Sequence, residues 1–421
     1  MSYMNFHEIS EEQKMPLSYK IFQAVHIIEE SFKICKHNSA IAFSGGKDST
    51  ALWHLIKTHF PNETPYIIFG NTGVEYPESL QFARKLGNEW GGDRFKETKL
   101  SKTEKEGLKF TAQMETLEWL ERTNQLDKIL QVDGKLKTTE TLEKMATPEM
   151  WDDFRKRNLV WKKGSPMSYW WCADQYGFPI MGKAASKLDA RRINIVCFLK
   201  YSKSTSDKQD LHDYYDILRE CKISQHCCKV LKKDPSEKLQ AELDVDVLFK
   251  GLMASESRTR RTNFATRGYI FASERPHTGD DPFYHVNPIS IWTDDDIWDY
   301  ITRYDVPYSP LYDMGYETPD GRTHRIQRNG CYGCCTDILF KNNHMEILHH
   351  THPDKWSVVM KYGMAAELKK LQEIRSNGQL SMFDMLDTAH MLDRRPCYFD
   401  RVSDYITVDD ELLADEYDSE E

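Results

Sequence analysis

Seven consecutive residues, Ser44-Gly45-Gly46-Lys47-Asp48-Ser49-Thr50, collect the groups that hold a phosphate. Two glycines let the backbone turn tightly and come close to a ligand, the lysine brings a full positive charge, and three hydroxyls donate hydrogen bonds. The loop follows the apolar run Ala40-Ile41-Ala42-Phe43 and precedes Ala51-Leu52-Trp53-His54-Leu55-Ile56, where apolar residues recur at helical spacing. The context is a strand-to-helix turn, so unpaired amides at the helix start face the anion. A Walker loop is excluded, because it needs four residues between its first glycine and the Gly-Lys pair.

A second constellation is built from thiols, Cys227-Cys228 in one segment and Cys331-Tyr332-Gly333-Cys334-Cys335 in another. Cys227, Cys228, Cys331 and Cys334 supply four sulfur ligands, enough for either a [4Fe-4S] cluster or a tetrahedral zinc. Adjacent cysteines are awkward around one zinc ion but can serve two irons of one cluster. Cys335 is an extra thiol that can replace one ligand or remain free, whereas Cys35, Cys172, Cys197, Cys221 and Cys397 lack metal spacing and read as structural. The chain shows no signal peptide and no apolar run of membrane-spanning length, so a cytoplasmic, reducing location away from membranes is expected. Of its net charge of −10, most lies in the tail from Asp409 to Glu421, which has no Lys or Arg, so the body is nearly neutral.

The elements that position these groups read as α/β. A helix is expected over Leu17 to Lys36, then the strand and cradle, then a second strand Tyr66-Ile67-Ile68-Phe69 that runs out into Asn71-Thr72-Gly73. Pro77 opens a helix whose apolar face runs through Leu80, Ala83, Leu86 and Trp90. A strand at Val245 to Phe249 leads into Gly251, and Asn287 to Ile291 reads as a further strand before a helix capped by Thr293 or Asp294. This order predicts a parallel twisted sheet with helices on both faces, interrupted by a large, mainly helical insertion. The divisions expected are 1–100 for the first half of the nucleotide-binding core, 101–222 for the insertion, 223–340 for the rest of the core with the cysteine loops, 341–408 for a helical region and 409–421 for the acidic tail. Within the insertion, one amphipathic helix is expected from Phe110 through Leu130. The Trp-rich stretch with Trp151, Trp161, Trp170, Trp171 and Lys162-Lys163 reads either as core or as a surface that stacks on single-stranded nucleic acid.

Ser44-Gly45-Gly46-Lys47-Asp48-Ser49 resembles the PP-loop of enzymes that split ATP between its α and β phosphates, and of their relatives the adenylyl-sulfate and phosphoadenylyl-sulfate (PAPS) reductases. Asn71-Thr72-Gly73 and Tyr76-Pro77-Glu78-Ser79 are similar to that reductase family's Asp-Thr-Gly and Tyr-Pro-Glu-Thr, with Asn71 in place of an aspartate. Cys227-Cys228 with Lys232 resembles the family's Cys-Cys-x-x-x-Lys segment, and Gly251-Leu252-Met253 through Ser257 to Arg260 resembles its Gly-Leu-Arg-x-x-Gln/Glu-Ser-x-x-Arg, with Met253 where an arginine is common. The resemblance implies a PP-loop fold and an adenine nucleotide held by Ser44 to Thr50, Asn71, Thr72, Gly73, Ser257 and Arg260. It also favours the cluster over zinc.

The family's reductases attack with a cysteine in a Glu-Cys-Gly-x-His setting near the chain's end, and no such string occurs here. The chain equally resembles relatives that keep the cradle and an iron-sulfur cluster but use ATP, among them the tRNA thiolases, and that resemblance implies cleavage of ATP with Mg²⁺ to AMP and pyrophosphate, coupled to iron-sulfur-assisted sulfur transfer, with Lys47, Asp48 and Cys335 as catalytic residues. A nucleic-acid acceptor and a sulfur-donor protein are the partners this implies. The alternative is a reductase that releases sulfite from an adenylyl sulfate. A third reading is a non-catalytic, nucleotide-binding regulatory subunit.

Overall fold

In the computed structural model, which describes residues 3–180, 190–203, 214–274, 282–317, 323–338 and 344–376, short apolar runs pair into one six-stranded sheet. Its strands are β1 (Asn38–Phe43), β2 (Tyr66–Phe69), β3 (Phe95–Glu97), β4 (Val245–Lys250), β5 (Ile270–Ser273) and β6 (Phe283–Val286). They lie in the order β3-β2-β1-β4-β6-β5, parallel throughout except at the β5–β6 edge. Side chains alternate between the faces, as the pleat requires. Ile41, Phe43, Ile67, Phe69, Val247 and Phe249 enter one core with residues of α1 (Leu17–Ile34) and α2 (Lys47–His59), while Ala40, Ile68, Leu248 and Phe283 form a second. The second face packs against Leu239 of α3 (Asp234–Glu242) and Leu243 just after it. Buried on both faces, the central strands need the nearly continuous apolar runs that the sequence shows.

Strand order reverses direction between β1 and β4. Crevices beyond the carboxyl ends of strands at such a switch point are where open α/β sheets take ligands.

Two sequence expectations fail locally. Asn287 to Ile291 is a turn, with Ser290 N–H bonded to the Asn287 carbonyl at 3.3 Å, and the strand lies just before it in β6. Pro288 has no N–H to give a ladder, and Ile289 and Ile291 are buried without being in a strand. The helix expected from Phe110 to Leu130 stops at Arg122, because Asn124 adopts a left-handed φ of 54°.

The chain divides into two units. The first comprises Met1–Lys99, Lys232–Met314 and Arg325–Gly330 and contains the sheet; the second comprises Leu100–Leu231, Gly315–His324 and Cys331–Glu421. The second is mainly helical, with one core around Leu117, Leu120, Leu142 and Ile193 and a smaller one around Leu108, Phe154 and Val160. Its tryptophans are largely engaged in packing: Trp171 is buried, Trp161 Nε1 donates to Asp174 at 2.8 Å, and Trp170 lies 4.2 Å from the Tyr362 ring. Among the described residues no helix is long and apolar enough to cross a membrane. Cys397 and the acidic tail lie outside the described residues.

Candidate nucleotide site and cysteine centre

The cradle forms where the sequence places it, between β1 and α2. Gly46 is the N-cap of α2, and no side chain caps the helix. Gly45 has φ +70°, and a Cβ there would stand 2.9 Å from the Ala83 Cβ. A Cβ on Gly46 would collide with the Asn329 side-chain oxygen. Asn329 in turn donates from Nδ2 to the Ser44 carbonyl at 2.8 Å, and the Lys47 N–H donates to the Tyr312 hydroxyl at 3.1 Å. The loop is thus clamped from outside by two residues the sequence did not single out.

Lys47 is buried, and its ammonium is tied to Asp48 at 2.8 Å and to Asp294 at 2.5 Å. Its charge is compensated by carboxylates before any ligand arrives. Asp294→Asn is therefore expected to raise the affinity for pyrophosphate roughly three- to tenfold in calorimetry. An unchanged affinity would show that Lys47 does not reach the anion.

Beyond the strand ends lie two neighbouring cavities. One, of about 350 Å³, is lined by Ser44, Asp48, Ser49, Arg260, Arg328 and Asn329 among others. The other, of about 460 Å³, is walled by Ile68, Leu248 and Phe283 with Lys233 and His285. Ala42, Ser44, Lys232 and Lys250 line both. The smaller cavity sets Lys232, Lys250, Arg260 and Arg328 against Asp48 and Glu256, an excess of cations suited to an anion, and the larger offers apolar walls suited to a base. Arg260 is ion-paired with Glu256, and burial beside Arg328 pushes its pKa down.

In the second unit, the segment Phe178 to Ile180 ties the two cysteine loops together. Phe178 N–H donates to the Lys222 carbonyl at 2.8 Å and Ser224 N–H to the Phe178 carbonyl at 2.9 Å, while Cys335 N–H donates to the Pro179 carbonyl at 2.8 Å. The fully buried Tyr169 hydroxyl donates to the Gly333 carbonyl at 2.7 Å, and burial, with the thiols of Cys227, Cys335, Cys334 and Cys331 around it, pushes its pKa well up. Cys227 is buried and Cys228 exposed, and none of the nine described cysteines is in a disulfide. Cys335 is fully buried and desolvation raises its thiol pKa well above the ordinary value. Such a thiol stays protonated and is a poor nucleophile.

The chain matches the family model described as "Phosphoadenosine phosphosulfate reductase domain" over residues 38–148 and 153–336, well over half its length. It belongs to the PAPS reductase family. Among similar curated proteins are a phosphoadenosine 5'-phosphosulfate reductase of Xylella fastidiosa strain M23, 36% identical over 86 residues, and an adenosine 5'-phosphosulfate reductase of Staphylococcus haemolyticus, 34% identical over 91 residues. These matches cover 20% and 21% of this chain and 31% and 32% of the relatives, so they span only about a third of the relatives' own length. A solved PAPS reductase from Candida auris aligns with 78% of this chain and 98% of its own at 12% identity and a TM-score of 0.33.

Within this PAPS reductase family member, the residues expected to bind nucleotide separate into two groups. Ser44, Asp48, Ser49 and Arg260 line the charged cavity. Asn71, Thr72 and Gly73 close a local turn instead, with Asn71 Nδ2 on Glu97 at 2.6 Å, Gly73 N–H on the Asn71 side chain at 2.8 Å and the Thr72 hydroxyl on Glu75 at 2.9 Å. Ser257 caps the helix Arg258–Arg267, and the Thr50 hydroxyl bonds the Gly46 carbonyl at 3.0 Å. Lys250, Tyr312, Arg328 and Asn329 were missed. Lys250 directly precedes Gly251-Leu252-Met253, and Tyr312, Arg328 and Asn329 stand far along the chain, so only the fold brings them to the cradle.

Proposed function

We propose that this chain binds an adenylyl nucleotide in the paired cavities and reduces the sulfonyl group of an adenylyl or phosphoadenylyl sulfate, releasing sulfite. What carries the reading is an apolar slot opening into a cationic end through shared walls at Ser44, Lys232 and Lys250, inside the span that the family model matches. Such a shape suits a ligand with an aromatic base at one end and an anhydride-linked anion at the other. The electrons would come from a dithiol reductant, in keeping with a reducing, cytoplasmic setting.

Cys227, Cys228, Cys331 and Cys334 are proposed to hold a [4Fe-4S] cluster, with zinc as the alternative metal. The donor set fits: four thiols on two loops drawn together by Phe178 to Ile180, in surroundings where they disfavour one another's ionisation until a cation is present. Adjacent cysteines such as Cys227 and Cys228 sit awkwardly on one zinc ion and more readily on two irons of one cluster, which favours the cluster. When bound, the cluster supplies an electropositive, redox-capable centre.

One observation favours a second reading. Asp48 puts a carboxylate in the anion end, and a carboxylate there suits the Mg²⁺ that accompanies ATP. On this reading ATP is cleaved to AMP and pyrophosphate and sulfur from a donor protein passes to a nucleic acid. Anaerobic protein incubated separately with adenylyl sulfate, phosphoadenylyl sulfate and ATP–Mg²⁺, each with a thioredoxin-type reductant, separates the two. Sulfite from either sulfonucleotide is the expected result. AMP and pyrophosphate from ATP without sulfite would replace the first reading by the second, and binding without turnover would leave a regulatory subunit.

A further inference from the structure

Lys250 ends β4 at the boundary of both cavities, in the company of Ala42, Ser44 and Lys232. Its Nζ lies 2.9 Å from His285 Nδ1 on β6, and His285 Nε2 lies 3.0 Å from the Ser273 hydroxyl on β5. Ser273 donates onward to the Glu274 carbonyl at 3.3 Å. The direction of this chain of bonds is set by its first member. An ammonium only donates, so Nδ1 accepts, Nε2 carries the ring proton, and that proton is shared with Ser273.

The histidine is neutral, because burial beside Lys250 and Arg267 pushes its pKa down to about 4. Lys250 therefore has a neutral partner, and among the described residues the charges that shift it most are Glu237 of α3, Arg267, and Lys233 just before that helix. Glu274 and Lys232 also line the larger cavity, and Lys232, Asp48, Glu256, Arg260 and Arg328 line the smaller one with it. A partly buried cation whose direct partner is neutral is costly to keep, and an anionic ligand would offset that cost.

We propose that Lys250, oriented by His285 and Ser273, receives the phosphate attached directly to the nucleoside, at the point where the base slot meets the anion end. The inference rests on the nucleotide reading of the paired cavities and assigns one group of that ligand to one residue. Burial lowers the Lys250 pKa to about 8, so the free protein is part neutral there in weakly alkaline solution. A bound phosphate favours the ammonium and raises that pKa. Binding then takes up a proton, is strongest below about pH 8, and weakens by up to about tenfold per pH unit above it. A phosphate monoester, with its second pKa near about 6, stays dianionic throughout that window and adds no pH dependence of its own.

The experiment is calorimetry with AMP and with adenosine at about pH 7 and about pH 9. Wild-type protein is expected to prefer AMP, and to lose up to about tenfold of that preference at the higher pH. Lys250→Met should weaken AMP about tenfold or more, and far more than it weakens adenosine, and abolish the pH dependence. Lys250→Arg should keep AMP binding without the pH dependence, which shows that the site still folds when lysine is replaced. AMP binding that ignores both pH and Lys250→Met overturns this inference and leaves the nucleotide site standing. If neither ligand binds the wild type, the nucleotide reading falls and this assignment falls with it.

Discussion

Gly46→Val is expected to weaken nucleotide binding about a hundredfold, equivalent to about 2.7 kcal/mol, with little loss of folded structure. Gly46 has φ −84° and ψ 157°, an extended conformation that a β-branched residue adopts without strain, so the backbone does not oppose the change. What opposes it is space. The position of the new Cβ is held by the Asn329 side chain, with the Ser44 hydroxyl 3.1 Å away. Asn329 must move, and its bond to the Ser44 carbonyl goes with it. The amides of the helix start then lose their fixed direction, which is the property that makes such a terminus an anion site. Equilibrium binding of AMP, alongside near-UV circular dichroism, reads both halves of the expectation. In a Gly46→Ala background, Asn329→Ala should recover part of the lost affinity, because the smaller side chain vacates the contested space. Wild-type affinity in Gly46→Val would mean that the nucleotide does not use this loop.

The cradle was legible in sequence because its work is local. Ser44 to Thr50 set their own turn, and a four-residue apolar run such as Tyr66 to Phe69 has few alternatives to a buried strand. What the local sequence does not display is the company Lys47 keeps: it is buried against Asp48 and Asp294, and the second of these lies 247 positions away in a segment whose only local signal is a helix start. The same holds for His285 and Ser273, which have no motif and gain meaning from the antiparallel pairing of β5 with β6. Pairing partners are decided by the whole sheet, and a single sequence does not display them. Asn71, Thr72 and Gly73 form a local turn, in which Asn71 bonds Glu97 and the Gly73 N–H and the Thr72 hydroxyl bonds Glu75, a local solution that competes with reaching toward a ligand.

Cys334→Ser is expected to remove nearly all bound iron and its visible absorption from anaerobically purified protein, and to lower the melting temperature of the second unit by about 10 °C or more. A metal that binds the folded state and not the unfolded one adds its binding free energy to stability, so a chelator acting on the wild type should reproduce the thermal shift. Cys335→Ser makes the discriminating comparison. Cys335 is fully buried, and its backbone N–H is already used on Pro179, so a serine there adds a buried hydroxyl and costs about 1–3 kcal/mol while leaving four sulfur ligands in place. The expected pattern is iron lost with Cys334→Ser and iron kept, on a less stable protein, with Cys335→Ser. The reverse pattern would exchange the roles of the two neighbours: Cys335 would be a ligand and Cys334 the spare thiol. Zinc in place of iron in the wild type would reject the cluster while keeping the centre, because the Phe178 to Ile180 segment joins the two loops by backbone bonds that do not depend on which metal they hold.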